Sequence, residues 1–181
     1  MVFGFFKKKQ RDGVYSLYKT IVQQARQPMF YTEGGVSDSI SGRFELIVLH
    51  SFLVLKRLDG EGAAAKEVSQ GVFDLFFEDM DQSMREQGIG DEGVRRRIRK
   101  MSESFYGRSV AYAEAMKSEV NDELVRALCK NIYDSQEKHR KASQLALYVR
   151  KSYGYLEKQD LGALLVGHVD WLQELPVVEG A

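Results

Sequence analysis

Apolar side chains return at helical spacing along most of the chain. Val14, Leu17, Tyr18, Ile21, Val22 and Ala25 follow an i, i+3, i+4, i+7, i+8, i+11 pattern, one face of a helix that Pro28 limits. Gly34-Gly35 marks a loop. Ser37 or Asp38 is then placed to cap a second helix ending at Leu58, apolar on nearly all sides in its middle and therefore expected at the centre of the fold. A third helix is predicted over residues 63–87, stopped by Gly88-Ile89-Gly90, with Asp91 placed to cap a fourth that turns Val94, Ile98, Met101 and Phe105 inward. Gly107 is expected to bend the chain before a short helix holding Tyr112 and Met116. Asn121-Asp122-Glu123 opens a helix faced by Leu124, Leu128 and Ile132. Leu145, Val149, Tyr153 and Leu156 define the next, and Leu161, Leu164, Leu165, His168 and Leu172 a last one before Pro176. The expectation is an all-α, compact single-domain bundle of seven or eight helices over residues 13–175. Residues 1–12 read as a flexible aromatic and basic N-terminal tail, and residues 176–181 as a C-terminal tail.

The third helix departs from a simple amphipathic pattern. At about 100° per residue, Val68, Val72, Phe73, Leu75, Phe76, Phe77, Met80 and Met84 spread over roughly 200°, wider than one packing seam, which leaves part of the arc available to a partner. Asp74, Glu78 and Asp81 form an acidic stripe, with Arg85 four residues beyond Asp81. Asp79 instead falls among Val68, Val72 and Leu75, so it should meet a cation or hydrogen-bond donors, with Arg43 and Arg108 as candidate partners. The same features also suit a solvated acidic face beside an ordinary core stripe.

Composition narrows the class. The chain has 26 basic and 26 acidic side chains, so no overall field points to DNA or another polyanion, and any charge signal must be local. One cysteine, Cys129, excludes an internal disulfide and multi-cysteine metal sites. The longest apolar stretch, residues 44–55, is broken by Glu45, His50 and Ser51 and is too short to span a membrane, so a cytoplasmic protein is expected.

Candidate chemistry is sparse. None of His50, His139 and His168 has a Glu three residues before it, as a di-iron bundle needs, and the acidic stripe lacks a second facing acidic motif for magnesium and a diphosphate. No Ser or Cys sits in a nucleophile motif. His50, on the apolar helix, reads as a hydrogen-bonded core residue rather than a ligand. Neither metal, cofactor nor catalysis is expected, although an enzyme acting on a prenyl or tetrapyrrole substrate is a competing class. Arg95, Arg96, Arg97, Arg99 and Lys100 form a cationic turn suited to RNA phosphates or anionic lipid, or to a solvated face. Phe5 and Phe6 beside Lys7, Lys8 and Lys9 suit a membrane surface in the same way.

Several segments fall in a recognisable order: Gln24-Ala25-Arg26-x-Pro28-x-Phe30-Tyr31, Gly35-Val36-x-Asp38, and Gly42-Arg43-Phe44-Glu45 leading to Leu49-His50. Farther on come Phe73-Asp74, Asp79-Met80-Asp81, Arg85-Glu86-x-Gly88-x-Gly90-Asp91, and Phe105-Tyr106-Gly107-Arg108 with Tyr112. Over residues 17–132 the chain resembles the ubiquinol-cytochrome c chaperone family, assembly factors of the respiratory cytochrome bc complex. The resemblance implies an all-helical chaperone that binds newly made cytochrome b without turnover. Mitochondrial relatives act with a partner assembly factor near the ribosomal exit and carry a long targeting extension. This chain starts close to its helical domain, so the resemblance implies a bacterial member at the inner face of the cytoplasmic membrane, with a small partner factor, the ribosome or anionic lipid as further contacts. On this reading Phe73, Asp74, Phe76, Phe77, Glu78, Met80, Asp81 and Met84 contribute to the client surface. Phe105, Tyr106, Gly107 and Arg108 brace it, while Arg43 and Asp79 support the bundle.

Overall fold

The computed structural model describes residues 2–133 and 139–177, with side chains for residues 11–133 and 140–177. Its helices are α1 (Val2–Ala25), α2 (Pro28–Thr32), α3 (Ile40–Leu58), α4 (Ala63–Glu86), α5 (Asp91–Ala115), α6 (Asp122–Leu128), α7 (His139–Glu157) and α8 (Leu161–Leu165). A π-helical turn, Cys129–Tyr133, continues α6. No strand occurs among the described residues, so the fold is all-α as the periodicity predicts.

α3 is the hub, packing against α1, α4, α5 and α7. Its residues 45–54 are all buried, including Leu46, Leu49 and Leu53 at full burial, each such leucine stabilising the fold by about 1.5–3 kcal/mol. The cap is Ser39, whose Oγ accepts from the Gly42 amide at 3.2 Å; neither Ser37 nor Asp38 serves. Gly42 is required for another reason. A Cβ there would lie 2.0 Å from the Ser37 carbonyl oxygen, so only glycine lets the loop before α3 cross the first turn.

Four local readings are corrected by packing. Pro28 does not merely limit α1; it opens the short helix α2, where a missing amide costs nothing at the first turn. α1 runs back to Val2, so the backbone of residues 2–12 is helical where a tail was expected. Gly107 does not bend the chain, and Tyr112 lies in the same helix α5 as Phe105. The roughly 1 kcal/mol cost of an exposed helical glycine is outweighed because Phe105, Tyr112 and Ala115 all enter the core from that uninterrupted helix. Asp91 occupies the first turn of α5 and binds Arg85, with Gly90 at the cap position.

The last predicted helix is also shorter than its apolar spacing suggests. α8 ends at Leu165, and Gly167 at φ 86° turns the chain out of it. A Cβ on Gly167 would meet the Leu17 amide nitrogen at 2.6 Å, so the close approach to α1 and the left-handed backbone both demand glycine. His168 and Leu172 therefore lie on irregular chain, from which Trp171 and Leu175 return to the core.

Candidate functional site

α4 and α5, joined by four residues, pack side by side through rings. Phe73 lies 4.7 Å from Phe77, 5.4 Å from Phe105 and 5.4 Å from Tyr106, measured between ring centroids. Phe76 closes the cluster against Phe77 at 4.8 Å, Phe105 at 5.6 Å and Phe44 of α3 at 5.8 Å. Edge-on and tilted pairs of this kind hold rings in fixed orientations. The cluster is therefore a stiff wall between three helices.

That wall ends in an open cleft of about 890 Å³ between the end of α3, the first half of α4 and the second half of α5. Phe52, Leu55 and Leu58 form its α3 side, Phe73, Phe105 and Ala113 its facing sides, and Lys56, Lys66, Gln70 and Tyr106 its mouth. Tyr106 is 57% exposed and Val110 68%, two large side chains four residues apart on the outward face of α5. The Ser109 hydroxyl in the same wall is buried without a hydrogen-bond partner among the described residues.

The broad apolar arc of α4 divides accordingly. Phe76 is fully buried and Met84 nearly so, whereas Phe73, Phe77 and Met80 are half-buried and packed against the core from outside. Asp74 and Glu78 are exposed; Asp81 is half-exposed and held by Arg85. Sequence reasoning named Phe73, Phe105 and Tyr106 but missed the Phe52, Leu55 and Val110 side of the cleft. The available signal was Tyr106 and Val110 sharing one face of a helix not broken at Gly107.

Neither proposed cationic partner reaches Asp79. Its Oδ2 accepts from the Tyr18 hydroxyl at 2.8 Å, joining α4 to α1, and burial followed by this hydrogen bond pushes the phenol well above its ordinary range. Arg43 points outward and pairs with Asp38 at 2.8 Å, both side chains more than half exposed. Arg108 turns inward to Glu45 of α3, with Nε and Nη2 on the two carboxylate oxygens at 2.5 and 2.6 Å. Burial raises the Glu45 pKa, an effect that Arg108 opposes.

His50 is fully buried. Its Nδ1 donates to the Leu46 carbonyl at 2.7 Å, so Nε2 must accept, and the Tyr148 hydroxyl donates to it at 3.0 Å. Among the described residues no group of three or more His, Cys, Asp or Glu side chains is placed to hold a metal ion. Arg95, Arg96, Arg97, Arg99 and Lys100 are all exposed on the first half of α5, and Arg99 pairs with Glu103 at 3.1 Å. The side chains of Phe5, Phe6, Lys7, Lys8 and Lys9 lie outside the described residues.

A helical bundle with an open apolar cleft flanked by charge is the type of surface that takes a helix of another chain. Comparison with known proteins gives the family. The model of the ubiquinol-cytochrome C chaperone family matches residues 32–171, and the chain belongs to that family. It is 29% identical over 175 residues to ubiquinol-cytochrome-c reductase complex assembly factor 1 of Xenopus laevis, covering 96% of this chain and 86% of that protein. The mouse protein of that name is 26% identical over 179 residues, covering 97% of this chain, which spans 59% of the mouse protein's length. Among solved structures, the Cbp3 homolog from Brucella abortus matches with a TM-score of 0.84 and 36% identity, covering 96% of this chain and 97% of that one. No helix among the described residues is long and apolar enough to cross a membrane.

Proposed function

We propose that the protein is a non-catalytic assembly chaperone of the ubiquinol-cytochrome c reductase complex that holds an apolar helix of newly made cytochrome b in the α3–α4–α5 cleft. The observation that carries this reading is the cleft itself: an apolar trough with exposed Tyr106 and Val110 at its lip, on a member of a chaperone family whose relatives are named for assembly of that complex. The half-buried Phe77 and Met80 extend the client surface beyond the cleft from Phe73 in its wall, Met80 offering an adaptable thioether. Phe76 and Met84 support that surface from beneath, and Phe105 with Arg108 fixes its α5 side.

A photocrosslinking residue at Tyr106 or Val110 is expected to capture cytochrome b in cells. The same residue at Tyr15, 63% exposed on α1, is expected not to. Capture from Tyr15 and none from the two cleft positions would sink the placement. Deletion of the gene with unchanged cytochrome b and bc-complex levels would sink the function.

A second contact is favoured by the exposure of all five basic side chains on α5. These would hold the chaperone at the cytoplasmic ribosome or the anionic inner membrane surface where the client emerges. Replacing Arg95, Arg96, Arg97, Arg99 and Lys100 by Gln should weaken binding to ribosomes or anionic vesicles at least about ten-fold at low salt. Unchanged, still salt-sensitive binding removes this contact.

A further inference from the structure

We infer that the cleft is polarised, and that it takes the end of an apolar client helix bearing Lys or Arg, with those cations lying on Asp74 and Glu78. The inference rests on the reading of the cleft as the client site. The two ends of the cleft differ in charge. Its outer end, at the turn after α3, carries Lys56 and Lys66, with Asp59 beside them. Its inner end is Phe73, Phe105 and Tyr106, and α4 continues from there into Asp74, Glu78 and Asp81.

Gln70 links the trough to the stripe. It lines the cleft mouth and donates from Nε2 to Asp74 Oδ1 at 2.8 Å, so the first carboxylate stands at the rim. Spacing of i, i+4 and i+7 keeps Asp74, Glu78 and Asp81 on one face over about 10 Å of helix. Asp81 is held by Arg85, but neither Asp74 nor Glu78 takes part in an ion pair among the described residues. Two like charges at i, i+4 repel each other and weaken the free helix. A cation placed across both relieves that repulsion.

The chemistry of a membrane segment supplies such a cation beside an apolar helix. Short loops on the cytoplasmic side of membrane proteins are enriched in Lys and Arg, so the apolar span is followed at that end by positive charge. Apolar residues in the trough and cations on the acidic stripe satisfy both halves of the surface at once. An anionic lipid fits the stripe poorly, because its headgroup could meet a cation only at the outer end, beside Lys56 and Lys66.

The test uses the full chain with a photocrosslinker at Val110 and three synthetic peptides, each a run of about ten apolar residues followed by Lys, Ser or Glu. The Lys-flanked peptide is expected to bind about five- to ten-fold tighter than the Ser-flanked one at low salt, as two part-exposed ion pairs allow. Salt should erode the advantage. The double variant Asp74→Asn/Glu78→Gln should abolish it while leaving Ser-flanked binding and the circular dichroism spectrum unchanged.

Equal binding of the three peptides, an advantage that survives in the double variant, or preference for the Glu-flanked peptide or for palmitate overturns the polarity. Self-association of the protein through the cleft overturns it as well. Failure of every peptide to be captured from Val110 refutes the cleft as client site and this inference with it. Capture that ignores the flank removes the polarity alone.

Discussion

Replacing Arg108 by Ala is expected to destabilise the fold by about 3 kcal/mol at neutral pH, because it leaves the Glu45 carboxylate buried without its cation. The Glu45 side chain is 6% exposed and that of Arg108 21%, so the pair is largely withdrawn from water, unlike the exposed Arg43–Asp38 pair, which solvent screens. Burial already raises the Glu45 pKa against the pull of Arg108, and loss of Arg108 lets it rise further. A carboxyl whose folded pKa lies above its unfolded value keeps its stability contribution at low pH and loses it as pH rises through the folded pKa. The deficit of the variant relative to the parent should therefore be smaller at about pH 4 than at pH 7 in urea unfolding, where unfolded Glu titrates near 4.3. Adding Glu45→Leu should recover most of the loss, since a buried pair replaced as a whole costs little. A deficit independent of pH, or a double variant as weak as the single one, would show that the ion pair is not the cause. The prediction bears on function through Tyr106 and Ser109, which lie beside Arg108 on α5 and line the cleft, because this pair ties that wall of the cleft to α3.

Arg108 also shows what the sequence could and could not convey. The central place of α3 was legible because residues 44–55 are apolar on nearly every side, and the all-α class followed from spacing alone. That Asp79 needed a donor was legible too, since it faces Val68 and Val72. Its partner was not, because Tyr18 is 61 residues away and pairing across helices depends on their packing, which local periodicity does not encode. Glu45 and Arg108, 63 residues apart, are the same case: one was visible as an interruption of an apolar run and the other as a nearby cation, but not as a pair. The cleft was only half legible for a related reason. Three separate segments build it, and the reading of Gly107 as a bend separated Tyr106 from Val110. Phe76 and Met84 were assigned to a partner-facing arc because arc width counts apolar residues without saying which of them neighbouring helices cover.

The second large effect is expected from His50, through acid. Burial lowers its pKa to about 4 from an ordinary value of 6.5. The unfolded chain then binds a proton that the folded chain refuses between those values. The neutral His50 contribution is complete above pH 6.5 and is lost as pH falls towards 4, by about 3 kcal/mol in all. Glu45 tilts stability the other way over part of this range, so the informative quantity is the difference between the parent and a His50→Leu variant. That difference should change with pH by about one proton's worth between pH 4 and 6.5. Tyr148→Phe separates the hydrogen bond from the burial. It removes the donor to Nε2 and the acceptor of the Gln24 amide, bonded at 3.0 Å, and should cost about 1–3 kcal/mol at neutral pH while leaving the pH difference in place. Trp171, the sole tryptophan, has its ring 5.4 Å from His50, and the Gln24 amide also donates to the Leu172 carbonyl at 3.0 Å. Protonation should therefore first loosen the C-terminal segment from α1, α3 and α7, seen as a change in Trp171 fluorescence below about pH 5 that precedes loss of helical signal. Fluorescence and helix lost together, or an unchanged acid slope in His50→Leu, would place the sensitive proton elsewhere.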